Sequence, residues 1–282
     1  MTMTNLSKRK AVVISASSDI GYELCKWWYD KSWELFGTYR TQSAKTGHLS
    51  EMGVSLVQCA LESKDSVDEA CRALHDCCAK WDALVFCPGM LDPIGCFSDC
   101  DYDHWNTSID VNFINQIRVL HRLLPDRNLS GNSEPRVIFF AGGGTNSAPK
   151  GYSAYTVSKI ALIKMCELLD AEIQDTGFII IGPGWVKTKI HQATLKAGPR
   201  SGEAYNSTKK RLQTDAFTPM QQILECCDWI VHSDRRLVSG RNFSVANDRW
   251  GEAVLAEMLK RNIDMYKLRR SGNQDLLKSE EN

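Results

Sequence analysis

The chain predicts an α/β fold: one doubly wound domain, with a parallel seven-stranded sheet and helices on both faces. Two observations lead there. Short β-branched apolar runs alternate with segments of helical periodicity from residue 11 to residue 261, and no change of composition breaks the series. The stretches Ser15–Gly21, Tyr39–Arg40, Cys87–Gly89, Gly142–Thr145 and Pro183–Thr188 all follow strand ends. With right-handed crossovers those loops share one edge of the sheet, where open α/β sheets bind ligands.

Ala11–Ser15 (AVVIS) reads as a buried parallel strand. SASSDIG follows, Ser15–Gly21, and then a helical segment, YELCKWWYDKS. A small-residue turn between strand and helix is a candidate phosphate cradle, because backbone N–H groups and a helix N-terminus attract an anion. A plain tight connection is the competing account. The second strand, Trp33–Arg40, ends in Tyr39-Arg40 with Thr41 and Ser43 beyond. No carboxylate stands there to hold a ribose 2′-hydroxyl, and an arginine suits a 2′-phosphate. A solvated loop arginine is the alternative.

Val54–Leu61 is the third strand, and Ser66–Lys80 an amphipathic helix with Val67, Ala70, Leu74 and Cys78 on one face. Asp82–Cys87 is the fourth strand, ending in Pro88-Gly89. A loop, Met90–Asp103, leads to a long helix over Tyr102–Leu124 that carries Asn112. Val137–Ala141 is the fifth strand. The helix after it is expected to run to Asp175 and stop at Thr176-Gly177. Phe178–Ile181 is the sixth strand. Lys187–Ala216 is polar and reads as a mobile lid with one or two short helices. A helix over Pro219–His232, a strand over Gly240–Ala246 and a helix over Gly251–Arg261 complete the series. The domain is expected over residues 1–270, with 187–217 as its lid and 271–282 as a disordered polar tail.

Composition narrows the function. Of 282 residues 43% are hydrophobic, enough for a sizeable core, and 34 basic residues balance 34 acidic ones. Bulk charge therefore selects neither nucleic acid nor membrane as a partner, and no window reaches the length of a membrane span. The eleven cysteines sit mostly in apolar segments, with no C-x-x-C pair and no zinc spacing. They are expected to be reduced core thiols of a cytoplasmic protein that holds no metal. The basic N-terminus precedes only AVVI, too short for a signal peptide.

Chemistry concentrates in Pro135–Lys159 (PRVIFFAGGGTNSAPKGYSAYTVSK). Tyr155 and Lys159 lie four apart on a helix and so share one face. A cation beside a phenol favours the phenolate and lowers its pKa, which makes the tyrosine a usable acid.

Together ASSDIG, Asp110-Val111-Asn112, Tyr155-x-x-x-Lys159 and Pro183-Gly184-x-x-x-Thr188 resemble the short-chain dehydrogenase/reductase family of the classical type, over Arg9–Ala246. The resemblance implies a Rossmann-like domain and an oxidoreductase that moves a hydride between a nicotinamide and a carbonyl or alcohol substrate. By it, Tyr155 matches the acid/base. Lys159 matches the residue that bonds the nicotinamide ribose and lowers the tyrosine pKa. Asn112 matches the residue that holds a proton-relay water against Lys159. Ser15, Ser17, Ser18, Asp19, Ile20 and Gly21 match the phosphate loop, and Arg40 the mark of NADP over NAD. Leu61, Pro88, Gly89, Pro183, Gly184, Val186 and Thr188 complete the cofactor set. A homodimer or homotetramer is implied through the helices carrying Asn112 and Tyr155.

Departures from the pattern are specific. Ser15 and Asp19 stand where glycines are usual, and Ala60 replaces an aspartate that caps the adenine. Phe86-Cys87-Pro88-Gly89 replaces Asn-Asn-Ala-Gly. Gly142 stands where the catalytic serine is expected, so Thr145 or backbone N–H groups are the candidate substitutes. These losses leave a second expectation open, a catalytically weak dinucleotide-binding sensor or scaffold. The substrate is not legible. Trp250 and Leu268-Arg269-Arg270 resemble the ends of reductases found beside glycan and nucleotide-sugar genes, where a ring and a phosphate would be met.

Overall fold

Seven strands form one parallel sheet in the order β3-β2-β1-β4-β5-β6-β7. The structure, a computed structural model, describes residues 8–131 and 133–271. The strands are β1 (Lys10–Ile14), β2 (Glu34–Tyr39), β3 (Ser55–Gln58), β4 (Ala83–Phe86), β5 (Arg136–Phe140), β6 (Gly177–Gly182) and β7 (Asn242–Ser244). The chain reaches one edge at β3 and then crosses back to lay β4 beside β1. That reversal opens a crevice beyond the strand C-termini.

Alternate residues of each strand feed two cores, as period two requires. On one face Ala11, Val13, Val85, Ile138 and Ile179 pack on α1 (Asp19–Tyr29) and α9 (Met220–His232). On the other, Val12, Ile14, Leu84, Val137 and Ile180 pack on α3 (Lys64–Cys77), α5 (Asn115–Leu123) and α6 (Ser153–Glu172). The central strands β4 and β5 are buried along their whole length, which is why they read as continuous apolar runs.

Three elements differ from the sequence reading. A helix α2 (Ala44–Glu51) follows β2 although its sequence, AKTGHLSE, has little apolar character. Its signal is local: Ser43 and Thr46 cap each other's backbone N–H groups in a capping box. The long helix is α4 (Tyr102–Ile109) and α5 joined by one π-helical turn, Asp110–Ile114. Helix α6 ends at Glu172, short of Asp175, because Gly177 is no stop signal but the first residue of β6, paired with Arg136.

Beyond β6 the expected lid folds as α7 (His191–Ala197), a 3₁₀ turn (Gly198–Ser201) and α8 (Glu203–Leu212). A short α10 (Arg235–Val238) precedes β7, and α11 (Ala253–Arg261) follows it. Residues 272–282 of the expected tail lie outside the described residues. Among the described residues no helix is long and apolar enough to cross a membrane. Trp250 and Arg269 are both engaged within the protein. The Trp250 indole donates to the Val245 carbonyl at 3.0 Å and lies against Trp229, and Arg269 bridges Glu167 and Asp264 at 2.7 and 2.8 Å.

One polar knot ties α9 to α1. Asp228 accepts from the indoles of Trp28 at 2.8 Å and Trp27 at 3.1 Å and pairs with Lys31. Trp28 is fully buried, so its N–H has no other partner once the carboxylate is gone. Asp228→Ala should destabilise the fold by about 2–3 kcal/mol, the cost of an unpaired buried donor, while Asp228→Asn, which keeps an acceptor, should lose less. Thermal unfolding followed by circular dichroism checks this, and equal melting of both variants would contradict it.

Candidate active site

The site is assembled from the loops after β1, β2, β3, β4, β5 and β6. The turn after β1 is wound tightly. Ser15 adopts the left-handed conformation, φ 61°, where glycine is usual. The Ser15 N–H donates to Thr38 Oγ1 at 2.9 Å, and the Ala16 N–H to the Thr38 carbonyl at 2.7 Å. Ser18 caps α1, accepting from the Gly21 N–H at 3.1 Å. A Cβ on Gly21 would lie 2.6 Å from the Ser15 carbonyl oxygen, so only glycine lets helix and strand approach this closely. The first turn of α1, with Ser18, Asp19 and Ile20, lines the crevice. The Asp19 carboxylate is held by Lys45 at 2.5 Å and by the Lys189 N–H at 2.7 Å. Those bonds offset burial and keep its pKa below the ordinary carboxylate value.

At the ends of β2 and β3, Arg40 is paired with Glu62 at 2.7 Å. Glu62 is a crevice residue that the sequence reading passed over. After β4, the loop is clamped by Asn112. Its Oδ1 accepts from the Met90 N–H at 2.9 Å, and its Nδ2 donates to the Met90 carbonyl at 2.8 Å and to Ser108 Oγ at 3.1 Å. Asn112 is fully buried and is not on the crevice wall. It lies within the π turn, and the carbonyl of Asn112 itself accepts from Gln116 Nε2 at 3.0 Å. The Asn112 side chain therefore fixes the β4 loop.

Lys159 is 2% exposed and donates to the Pro88 carbonyl at 3.3 Å. Its ammonium lies 5.7 Å from the centre of the Tyr155 ring. Burial pushes the Tyr155 phenol up to about 12 and brings Lys159 down to about 8. The lowering of Tyr155 expected from its neighbour is thus not produced by the protein groups around it. At this distance the cation does not offset desolvation.

The Tyr155 ring packs directly on Gly142. A Cβ built on Gly142 would lie 2.5 Å from the Tyr155 hydroxyl and 2.6 Å from Cζ. The phenol occupies the volume that a side chain at 142 would need. Gly143, Gly144 and Thr145 line the crevice just beyond.

The loops enclose a crevice of about 1310 Å³. Of the residues expected to act, Ser15, Ser17, Ser18, Asp19, Ile20, Arg40, Leu61, Pro88, Gly89, Thr145, Tyr155, Lys159, Pro183, Gly184, Val186 and Thr188 all line it, and Gly21 and Asn112 stand behind it. That volume exceeds the roughly 300–1,000 Å³ of a pocket for one small molecule. Among the described residues no group of three or more metal-ligating side chains occurs.

A sequence model of the short chain dehydrogenase family matches residues 9–198. The chain belongs to that family. It is similar to the Saccharomyces cerevisiae benzil reductase ((S)-benzoin forming), 27% identical over 198 residues that cover 64% of this chain and 73% of the relative. The fold is that of a S. cerevisiae short-chain dehydrogenase/reductase, with TM-score 0.76 at 21% identity, covering 88% of this chain and 98% of the other. It is also that of an actinorhodin polyketide ketoreductase crystallised with NADPH, with TM-score 0.74 at 18% identity, covering 86% and 97%. This short-chain dehydrogenase is therefore an oxidoreductase by family, and its sequence departures fall at defined places in a shared fold.

The residues present fit the nicotinamide dinucleotide that the family binds. Gly21 and the left-handed Ser15 leave the backbone of the turn open to a pyrophosphate at the α1 N-terminus. Missed by sequence reasoning, besides Glu62, were Trp185, His191, Tyr152 and Arg211, which also line the crevice. Trp185 sits inside the Pro183–Thr188 motif. The others come from the lid and the start of α6, and carried no motif to mark them.

Proposed function

We propose that the chain is an NADP-dependent oxidoreductase that reduces a carbonyl group, or oxidises the matching alcohol, with Tyr155 as the acid/base. The observation that carries this reading is the seat of the Tyr155 hydroxyl. It lies against Gly142 at the crevice floor, with the Lys159 ammonium buried behind the same helix face. A bound nicotinamide supplies the hydride or accepts it. Tyr155 gives its proton to the carbonyl oxygen, and its burial keeps that proton in place until the oxygen becomes more basic. Lys159 offers a positive charge to the phenolate that remains. Asn112 keeps Met90, and so the wall beside the reacting carbon, from moving. Backbone N–H groups of Gly143, Gly144 and Thr145, or the Thr145 hydroxyl, are the donors available to the developing oxyanion.

Benzil reductase and the polyketide ketoreductase act on ketones by their names, which supports reduction as the direction. Val157 and Leu168 on α6 and Ile114 beside α5 are large and exposed. They support assembly through these helices, as a homodimer or homotetramer.

Cofactor choice tests the reading. Arg40 is the group suited to a 2′-phosphate, but Glu62 already holds it at 2.7 Å. The Arg40 side chain is 69% exposed, so the exchange of partners costs little. Arg40→Ala should weaken NADPH by about 10-fold or more, the worth of a charge-assisted bond, and leave NADH nearly unmoved. Glu62→Gln should tighten NADPH several-fold by freeing Arg40 and removing a like charge. Fluorescence titration of both dinucleotides decides. Equal changes for NADH and NADPH would sink the 2′-phosphate assignment. Dinucleotide binding without turnover of any ketone would instead favour the sensor or scaffold reading, to which the absence of a hydroxyl at 142 points.

A further inference from the structure

The crevice is also lined by residues that the dinucleotide signature does not name. Three residues from separate elements meet there: Trp185 from the loop after β6, His191 at the start of α7, and Arg211 in the last turn of α8. Trp185 and His191 stack, with ring centres 4.1 Å apart and planes 17° from parallel. His191 Nε2 donates to the Val186 carbonyl at 2.8 Å, which leaves Nδ1 as an acceptor. Arg211 lies over the Trp185 ring, its guanidinium carbon 5.7 Å from the centre.

Pairing distinguishes Arg211 from the other guanidinium of the crevice. Among the described residues three carboxylates line the crevice: Asp19 is held by Lys45 and Glu62 by Arg40, while Asp248 accepts from the Ser244 N–H at 2.7 Å. Two guanidiniums line the crevice. Arg40 is paired, and Arg211 has neither a carboxylate partner nor a side-chain hydrogen bond among the described residues. A guanidinium resting on an indole face loses little freedom when it binds, and its donor edge stays open. That edge matches the two oxygens of a carboxylate or phosphate.

We infer that Trp185, His191 and Arg211 form a subsite for the substrate itself, and that the substrate is a carbonyl compound bearing an oxyanion group. The stacked indole and imidazole take a planar portion, His191 Nδ1 accepts from a substrate hydroxyl or amide, and Arg211 takes the carboxylate or phosphate. This rests on the oxidoreductase reading above and adds the chemical class of its substrate. Burial, against the hydrogen bond to Val186 and with the charge of Arg211, lowers the His191 pKa and so favours the neutral imidazole.

Matched ketones test it in the full chain: benzoylformate, its methyl ester, and an aryl ketone carrying a phosphate ester, each with NADPH and with NADH. The wild-type protein should favour both charged ketones over the ester. Arg211→Ala should cut kcat/KM for the charged ketones on the order of 10²-fold, as loss of one partner of a charged pair does, and the ester by far less. Arg211→Lys should restore part of the loss. A larger effect on the phosphate than on the carboxylate identifies the phosphate as the natural anion, and the reverse identifies the carboxylate. Calorimetric binding of benzoylformate separates this inference from the reading beneath it. Charge-selective binding that is lost in Arg211→Ala, with no turnover, overturns the oxidoreductase reading and keeps the anion subsite. Turnover that is equal for acid and ester, and equally changed by Arg211→Ala, overturns the subsite alone.

Discussion

Serine at position 142 should slow carbonyl reduction by on the order of 10²-fold, although it installs the hydroxyl that the family pattern calls for. The reason is steric. Its Cβ would lie 2.5 Å from the Tyr155 hydroxyl, closer than real Cβ contacts come. Either the phenol leaves its seat or the end of β5 shifts. The start of the helix that carries Tyr155 is pinned. Tyr152 bonds Thr194 Oγ1 at 3.0 Å, and Ser153 Oγ accepts from the Trp105 indole at 3.0 Å. A displacement of about 1 Å at a reacting group is enough for the loss expected. The added volume also costs about 1–3 kcal/mol of stability, as overpacking does. Steady-state turnover of Gly142→Ser beside its melting temperature checks both effects. A faster enzyme would mean that Tyr155 relaxes and the serine takes up its usual role, and the steric account would then be abandoned.

That conflict marks where sequence reasoning reaches its limit. The absence of a hydroxyl at 142 is legible in AGGG, but the ring packed on it is not, since Tyr155 lies thirteen positions on and on another element. The strands were legible because each is a short apolar run, and the turn after β1 because small residues cluster there. Helix α2 was not, because its stability comes from a reciprocal cap at Ser43 and Thr46 and not from an apolar stripe. Arg40, just after β2, was legible as a cation. Its partner, Glu62, follows β3 and meets it only once the two strands pair in register, Tyr39 opposite Gln58. The seat of Asn112 shows the same limit. Its place in the sequence identifies it, but not the π turn it lies in or the bond of its amide to Met90. Trp185 and His191 stack across a loop that no periodicity describes.

Tyr155→Phe should lower kcat by about 10²–10⁴-fold, the range of a lost general acid, with NADPH affinity little changed, because the ring that packs on Gly142 is retained. The pH dependence follows from the directions of the two shifts. With its pKa at about 12, Tyr155 keeps its proton through the working range, so its own ionisation does not limit reduction. Lys159, brought down to about 8, loses its charge as pH rises past that value, and with it the support for the phenolate. Reduction should therefore hold steady below about pH 8 and decline above it. Stability should move the other way. The unfolded lysine titrates near 10.5 and the folded one near 8, so between these values the unfolded chain binds more protons, and unfolding becomes harder as pH rises. Lys159→Met removes the titration, which should flatten the stability slope and abolish the decline in rate together. If the rate falls above pH 8 while the slope in stability is absent, the titrating group is not Lys159, and the pairing of a buried ammonium with the Tyr155 phenol is the wrong account of this site.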